Sequence, residues 1–214
     1  MKVLGLTCLL FLKFLPGTQT ESNWKLKKVS EGITVYVREI EGSPFKELKS
    51  SVQIKTSLSS IVSLLNDWQS YPQWVYRCEQ SKTLKIISPF EIIHYQSITA
   101  PWPVDNRDFV VKVKLEQDPL SKIVTQKSSS IPDYIVPAKD HVRITQFKAE
   151  WILSPLKNGM VNIEYRLLVD PGGTIPVWLV NLAMVEGPFE TMLNMKTRVM
   201  LDKYQKAKMP GIID

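Results

Sequence analysis

The sequence predicts an α+β fold in which a curved antiparallel sheet wraps around a long C-terminal helix. Three observations lead there. Between residues 32 and 169 most segments are short, rich in β-branched and aromatic residues, and divided by Pro, Gly, Asn and Asp turns too brief for helical crossovers. Residues 177–206 then carry apolar side chains at helical spacing, over a face far wider than a surface helix needs. A helix of that kind must be held by something concave, and a strongly curved sheet is the natural partner.

Taken in order, residues 32–39 (Gly-Ile-Thr-Val-Tyr-Val-Arg-Glu) read as a strand, Glu41-Gly42-Ser43-Pro44 as a turn, and residues 45–54 as the returning arm of a hairpin. At Ser57 the period changes. Leu58, Ile61, Leu64 and Leu65 share one helical face, with a serine or threonine capping its start. Strands resume at about 81–88, 90–99, 107–117, 121–128, 140–153 and 160–169, joined by short turns into an antiparallel meander. Within 107–117, Phe109, Val111, Val113 and Leu115 alternate with Lys112 and Lys114, so the apolar four face inward. Gly172-Gly173 marks a turn that needs positive φ. In the last helix Val177, Val180, Met184, Pro188, Met192, Met195 and Val199 form one stripe. Trp178, Leu182, Val185, Phe189, Leu193 and Met200 form an adjoining one. Gly187-Pro188 is expected to kink this helix or start a new segment.

The N-terminus reads differently. Lys2, the apolar run Val3 to Leu12 and the small and polar exit Pro16-Gly17-Thr18-Gln19-Thr20 describe a secretory leader over 1–20; an uncleaved anchor helix is the alternative. One domain, 22–210, then accounts for the rest, in a secreted or periplasmic protein. The chain has 27 basic and 21 acidic residues; without Lys2 and Lys13 the mature chain keeps 25 against 21, a net +4. The excess sits in Lys25, Lys27 and Lys28 and in Lys203, Lys206 and Lys208. That reads as solvated ends, or as an attraction to an anionic membrane surface.

Composition excludes several functions. Two cysteines far apart exclude a disulfide scaffold, and with two histidines they leave no metal site and no cofactor to assign. No basic stripe interleaved with aromatics appears, so nucleic acid is not a partner, and a monomer is expected. There is no G-x-S-x-G, no phosphate-cradling glycine loop and no locatable pair of carboxylates. Cys78 reads as a packing residue rather than a nucleophile beside His94.

Trp102-Pro103-Val104-Asp105-Asn106-Arg107-Asp108-Phe109-Val110 resembles the P-W-P-x-x-x-R-D-F segment of START domains, the steroidogenic-acute-regulatory-related lipid-transfer family. Val142-Arg143-Ile144-Thr145 through Trp151-Ile152-Leu153-Ser154-Pro155 is similar to its V-R-V…W…P strand. Asp170-Pro171-Gly172-Gly173-Thr174-Ile175-Pro176-Val177-Trp178-Leu179-Val180-Asn181 resembles the segment opening its last helix, above all in secreted bacterial members. Order and spacing agree from Trp24 to Lys206.

The resemblance implies a helix-grip fold and an internal apolar cavity for one lipid or other hydrophobic small molecule, bound and transferred without catalysis and with transient membrane contact. A ligand of about 15 methylenes would gain roughly 12 kcal/mol gross by leaving water. The ligand contacts expected are Trp74, His94, Gln96, Phe109, Val111, Val113, Val180, Asn181, Met184, Met192 and Met195. Sterol-carrying relatives hold an acid and an arginine on neighbouring strands of the cavity. A gapless count puts His94 and Val113 in those places, which leaves His94 with Gln96 as the polar anchor, or His94 as a satisfied structural histidine. Arg107 and Asp108 are expected as a structural ion pair, and Trp74 and Trp102 either as a rim facing lipid or as ordinary packing. Two rivals stand beside the carrier: a helix-grip enzyme of cyclase or hydrolase type using His94 as acid and base, and an interaction protein with a filled core.

Overall fold

The computed structural model describes residues 23–42, 45–175 and 177–214. The leader read at 1–20 and the side chains of Val177, Trp178, Asn181 and Leu182 lie outside the described residues. Ten strands are described: β1 (Lys25–Ser30), β2 (Ile33–Glu39), β3 (Lys46–Lys55), β4 (Cys78–Ser88), β5 (Glu91–Ile98), β6 (Asn106–Gln117), β7 (Val124–Ser130), β8 (His141–Arg143), β9 (Gln146–Pro155) and β10 (Met160–Asp170). Nine of them form one antiparallel path in the order β1-β2-β3-β10-β9-β7-β6-β5-β4, and β8 pairs with β6 off that path. Three helices accompany them: α1 (Leu58–Asn66), α2 (Val177–Arg198) and α3 (Asp202–Gln205). The sheet is curved and α2 is the C-terminal helix it holds, as the helix-grip expectation required.

The hairpins follow from alternation. β2 buries Ile33, Val35 and Val37 and turns the residues between them outward. β3, its partner, buries Leu48, Ser50, Val52 and Ile54. α1 begins where Ser57 accepts the Ser60 N–H at 3.0 Å, and it buries Leu58, Ile61, Leu64 and Leu65. These residues join Leu153, Val161 and Ile163 of β9 and β10, and Phe189, Met192, Met195 and Val199 at the end of α2 and just beyond it, in the main core. Each such side chain contributes about 1.5–3 kcal/mol over leaving it in water.

The structure departs from the sequence reading in four places. The lysine-rich segment read as a solvated end is strand β1, turned into β2 by Glu31 and Gly32 at φ 54° and 73°. Both turn residues are left-handed, the twist that a two-residue hairpin needs. Lys28 is no loose charge: it pairs with Glu186 of α2 at 2.7 Å and lies over the Phe189 ring. The single strand expected at 140–153 is broken. Its first part, β8, runs parallel to β6, and only the second part, β9, continues the antiparallel ladder. The last helix passes through Gly187-Pro188 to Arg198 without starting a new segment, and a short α3 follows. Pro188 is buried, so its ring packing offsets the lost backbone hydrogen bond that would stop an exposed helix.

The fourth departure concerns Arg107 and Asp108. Neighbours on a strand point to opposite faces, so the two do not pair with each other. Asp108 instead holds Arg143 of β8 through two bonds, Nε to Oδ1 at 2.8 Å and Nη2 to Oδ2 at 2.9 Å. It also accepts the Ala138 N–H at 2.8 Å. Burial alone would raise the Asp108 carboxyl; hydrogen bonds from Arg143 and Ala138 and the Arg143 charge outweigh it and hold it below the usual range. Arg107 points the other way and donates to the carbonyls of Asp105, Pro171 and Gly172. It staples the turn that leads into α2, where Gly172 and Gly173 both adopt positive φ. A Cβ on Gly172 would also meet Val142 at 3.3 Å.

Candidate functional site

The concave face of the sheet and the first half of α2 enclose a pocket of about 620 Å³. The strands build it by register. On β5, His94, Gln96 and Ile98 share one face, opposite Val111, Phe109 and Arg107 of β6. Gln126 and Ser128 of β7, Phe147, Ala149 and Trp151 of β9, and Tyr165, Leu167 and Val169 of β10 continue that face. Leu179, Val180, Ala183, Met184, Pro188 and Thr191 of α2 form the opposing wall. Most of the lining is apolar, and no carboxylate lies on it among the described residues. Phe109 and Phe147 stack at 4.7 Å, and Trp151 and Tyr165 meet at 4.3 Å.

Of the contacts expected from the sequence, Trp74, His94, Gln96, Phe109, Val111, Val113, Val180 and Met184 line this pocket. The Asn181 side chain lies outside the described residues. Met192 and Met195 are placed elsewhere: both are fully buried in the core formed by α1, β2 and β3. The reason is geometric. One helical stripe runs along α2, but the helix leaves the pocket at about Thr191 and enters solid core beyond it. Trp74 does not face solvent as a rim residue. It is 2% exposed, at the C-terminal end of the 3₁₀ turn Trp68–Gln73, and its Nε1 donates to Ser70 Oγ at 3.3 Å. Trp102 is the exposed one of the two, at 92%, in the β5–β6 loop, whose Pro101 and Val104 line the pocket.

Sequence reading missed the β9 and β10 contribution, notably Phe147, Ala149, Trp151, Tyr165 and Leu167. Alternation along 146–155 and 160–170 carried the signal, but only the strand order shows which alternate face is concave.

The polar heart of the pocket is His94, 1% exposed. Its ring lies 4.4 Å from that of Trp68 and 5.9 Å from that of Tyr71. Its Nε2 is 3.3 Å from Ser81 Oγ, and its Nδ1 has no hydrogen-bond partner. Burial pushes its pKa down to about 3, so the imidazole is neutral at physiological pH. Cys78, buried on β4, is pushed up to about 12 by burial, with the Glu79 charge adding to the effect, and stays a thiol.

A pH dependence follows. An unfolded histidine takes a proton below about 6.5, whereas buried His94 does so only near 3. Stability is therefore full above pH 6.5 and lost as pH falls toward 3, by on the order of 4 kcal/mol. His141 works with the opposite sign, because the Lys139 carbonyl and Glu79 raise it against the lowering effect of burial. Subtracting the denaturation profile of a His94→Gln variant isolates the His94 share. Parallel profiles between pH 6.5 and 4.5 would contradict the burial argument.

The family model for the START domain matches residues 8–200. An uncharacterized protein of Pseudomonas aeruginosa is 30% identical over 181 residues, covering 85% of this chain and 89% of that protein. Mouse phosphatidylcholine transfer protein is 26% identical, covering 78% and 79%. Among solved structures, a STAR-related lipid transfer protein fragment from Xanthomonas axonopodis superposes with TM-score 0.76 at 36% identity, covering 83% of this chain and 99% of that one. Human StAR-related lipid transfer protein 5 reaches the same TM-score at 15% identity, a likeness of fold.

Proposed function

The chain belongs to the START domain family, and on that premise we propose that it carries one lipid or other hydrophobic small molecule in the pocket between the sheet and α2. The observation that carries this reading is the pocket itself: about 620 Å³, walled mostly by apolar and aromatic side chains, in a fold shared with a bacterial lipid transfer protein. Burial of ligand hydrocarbon supplies the affinity, and a few polar groups orient it. The reading is non-catalytic. A histidine whose pKa is about 3 is a poor acid or base near neutrality, which weighs against the enzyme alternative. It acts as a secreted or periplasmic carrier, a monomer that touches membranes only to load and unload.

Native mass spectrometry of protein purified from its own source tests the function directly. A stoichiometric lipid that leaves on organic extraction supports it; protein repeatedly recovered without any small molecule, and unable to take up lipid from vesicles, would sink it.

Trp102 supports the membrane contact. An indole 92% exposed beside the pocket wall matches the side chains that settle at the lipid–water interface. Trp102→Ala is expected to slow lipid exchange between vesicles about tenfold, while the amount of lipid held at equilibrium stays the same. Fluorescence of Trp102 that stays unshifted on adding vesicles, in a variant with the other tryptophans replaced by phenylalanine, would remove it from the contact.

A further inference from the structure

The strand ends bring three cations to one place. β3 begins at Lys46, β4 just after Arg77 and β6 just before Arg107, while β5 ends at Ile98 and β10 at Asp170. In an antiparallel path these residues all stand at one end of the sheet. The Thr99 N–H donates to the Arg77 carbonyl at 2.9 Å, and Ile98 pairs with Arg107 across β5 and β6. Lys46, Arg77 and Arg107 all line the pocket, and among the described residues no carboxylate does. Lys46 and Arg77 are also exposed, so the pocket meets solvent beside them.

Their charges are poorly matched within the chain. Arg107 is 4% exposed and makes no ion pair among the described residues. A buried charge normally has an opposite charge against it. Arg107 has the carbonyls of Asp105, Pro171 and Gly172 instead, which take three of its five N–H groups. The carboxylate that acts on it, Asp105, is exposed in the β5–β6 loop. Asp170, the acid closing β10, is turned onto the Gly172 N–H at 2.8 Å. Arg77 gives its Nε to the Tyr76 hydroxyl at 3.1 Å, and its two terminal nitrogens have no partner among the described residues. Lys46 lies 3.6 Å from Glu39, with the two side chains 46% and 71% exposed, the weakest kind of ion pair. Beside Arg107, diagonally across on β5, stands Gln96. It is 7% exposed, lines the pocket and makes no hydrogen bond among the described residues.

We propose that the ligand carries an anionic head, a carboxylate or a phosphate, seated at this mouth. Arg107 meets it from inside the pocket, Arg77 and Lys46 meet it from the solvent edge, and the Gln96 amide donates to it. The hydrocarbon runs inward over Phe109, Val111 and Trp151. A guanidinium presents paired N–H groups to either anion, and charge-assisted bonds of that kind are the strong ones. The proposal rests on the carrier reading and narrows it to lipids with an acidic head.

Three probes with one chain test it. Hexadecanol, hexadecanoic acid and hexadecyl phosphate differ only in the head. Delipidated protein, whole chain, is titrated with each at pH 8, below micelle formation, by displacement of a fluorescent fatty alcohol. At least one anion is expected to bind about tenfold tighter than the alcohol, and the better of the two identifies the head. Added salt should shrink that ratio. The double variant Lys46→Gln with Arg77→Gln changes only exposed side chains, so it should fold. It is expected to weaken the anion about threefold to fivefold and leave the alcohol unchanged. Arg107→Gln should remove the rest of the advantage; the surface variant carries the test if that change unfolds the chain. Anions that bind no tighter than the alcohol would overturn the proposal and leave the carrier reading intact. So would a double variant that slows delivery to anionic vesicles with every affinity unchanged, since the cations would then be a membrane contact. Failure of all three probes to bind would overturn the carrier reading, and the proposal with it.

Discussion

Asp108→Ala is expected to cost about 3–5 kcal/mol of folding stability, a large part of what a domain of this size has in total. Asp108 is fully buried, and the Arg143 guanidinium facing it is 8% exposed. Removing the carboxylate leaves a cation in the interior with only the carbonyls of Pro132, Ile135 and Val136 around it. The Ala138 N–H loses its acceptor in the same stroke. The damage is expected to reach several elements, because Asp108 joins β6, Arg143 joins β8, and the carbonyls belong to the intervening 131–136 segment, which packs on Ile93, Tyr95 and Val110. Urea denaturation measures it. The control is the pair Asp108→Ala with Arg143→Met, which removes the stranded charge and should recover part of the loss. A single variant that melts within about 1 kcal/mol of the wild type would mean that the pair is solvated in solution.

Filling the pocket is the second large effect. Ala149 sits mid-strand on β9 with its side chain on the concave face, between Ser128 of β7 and Leu167 of β10. Ala149→Trp puts an indole where ligand hydrocarbon would lie. Retained lipid, measured by native mass spectrometry, is expected to fall at least a hundredfold. Because the indole enters existing space rather than packed core, stability should hold or rise slightly. The opposite pattern, with lipid retained and stability lost by several kcal/mol, would place Ala149 in solid core and the ligand elsewhere. Met192→Trp is the contrast. Met192 is fully buried in the core, so overpacking there should destabilise by about 1–3 kcal/mol.

The Asp108–Arg143 pair also shows where sequence reading stopped. Arg107 and Asp108 are adjacent, and adjacency suggested a pair. Strand geometry sends them to opposite faces, and the real partner of Asp108 lies 35 residues on, delivered by the parallel β8. No local pattern records that meeting. His94 is a similar case. The alternation of Ile92, His94, Gln96 and Ile98 placed it on one face of a strand, and the structure keeps it there. Its one side-chain partner, Ser81, comes from a neighbouring strand and is itself held by the Trp68 carbonyl of a 3₁₀ turn.

What the sequence determined by itself is the periodic part: the hairpin at 32–54, the capped helix at Ser57, the inward face of β6 and the apolar stripe of the last helix. Each is set by spacing within a few residues, which is the range over which side-chain direction follows from backbone geometry. The tertiary structure decided what periodicity cannot carry. It set the order of strands that makes one face concave, the partner that Asp108 meets, and the point along α2 where pocket gives way to core. Val180 and Met184 at one end of the stripe, and Met192 and Met195 at the other, are the same kind of residue on the same helical face. Only what the sheet places opposite them makes the first two a pocket wall and the last two packing.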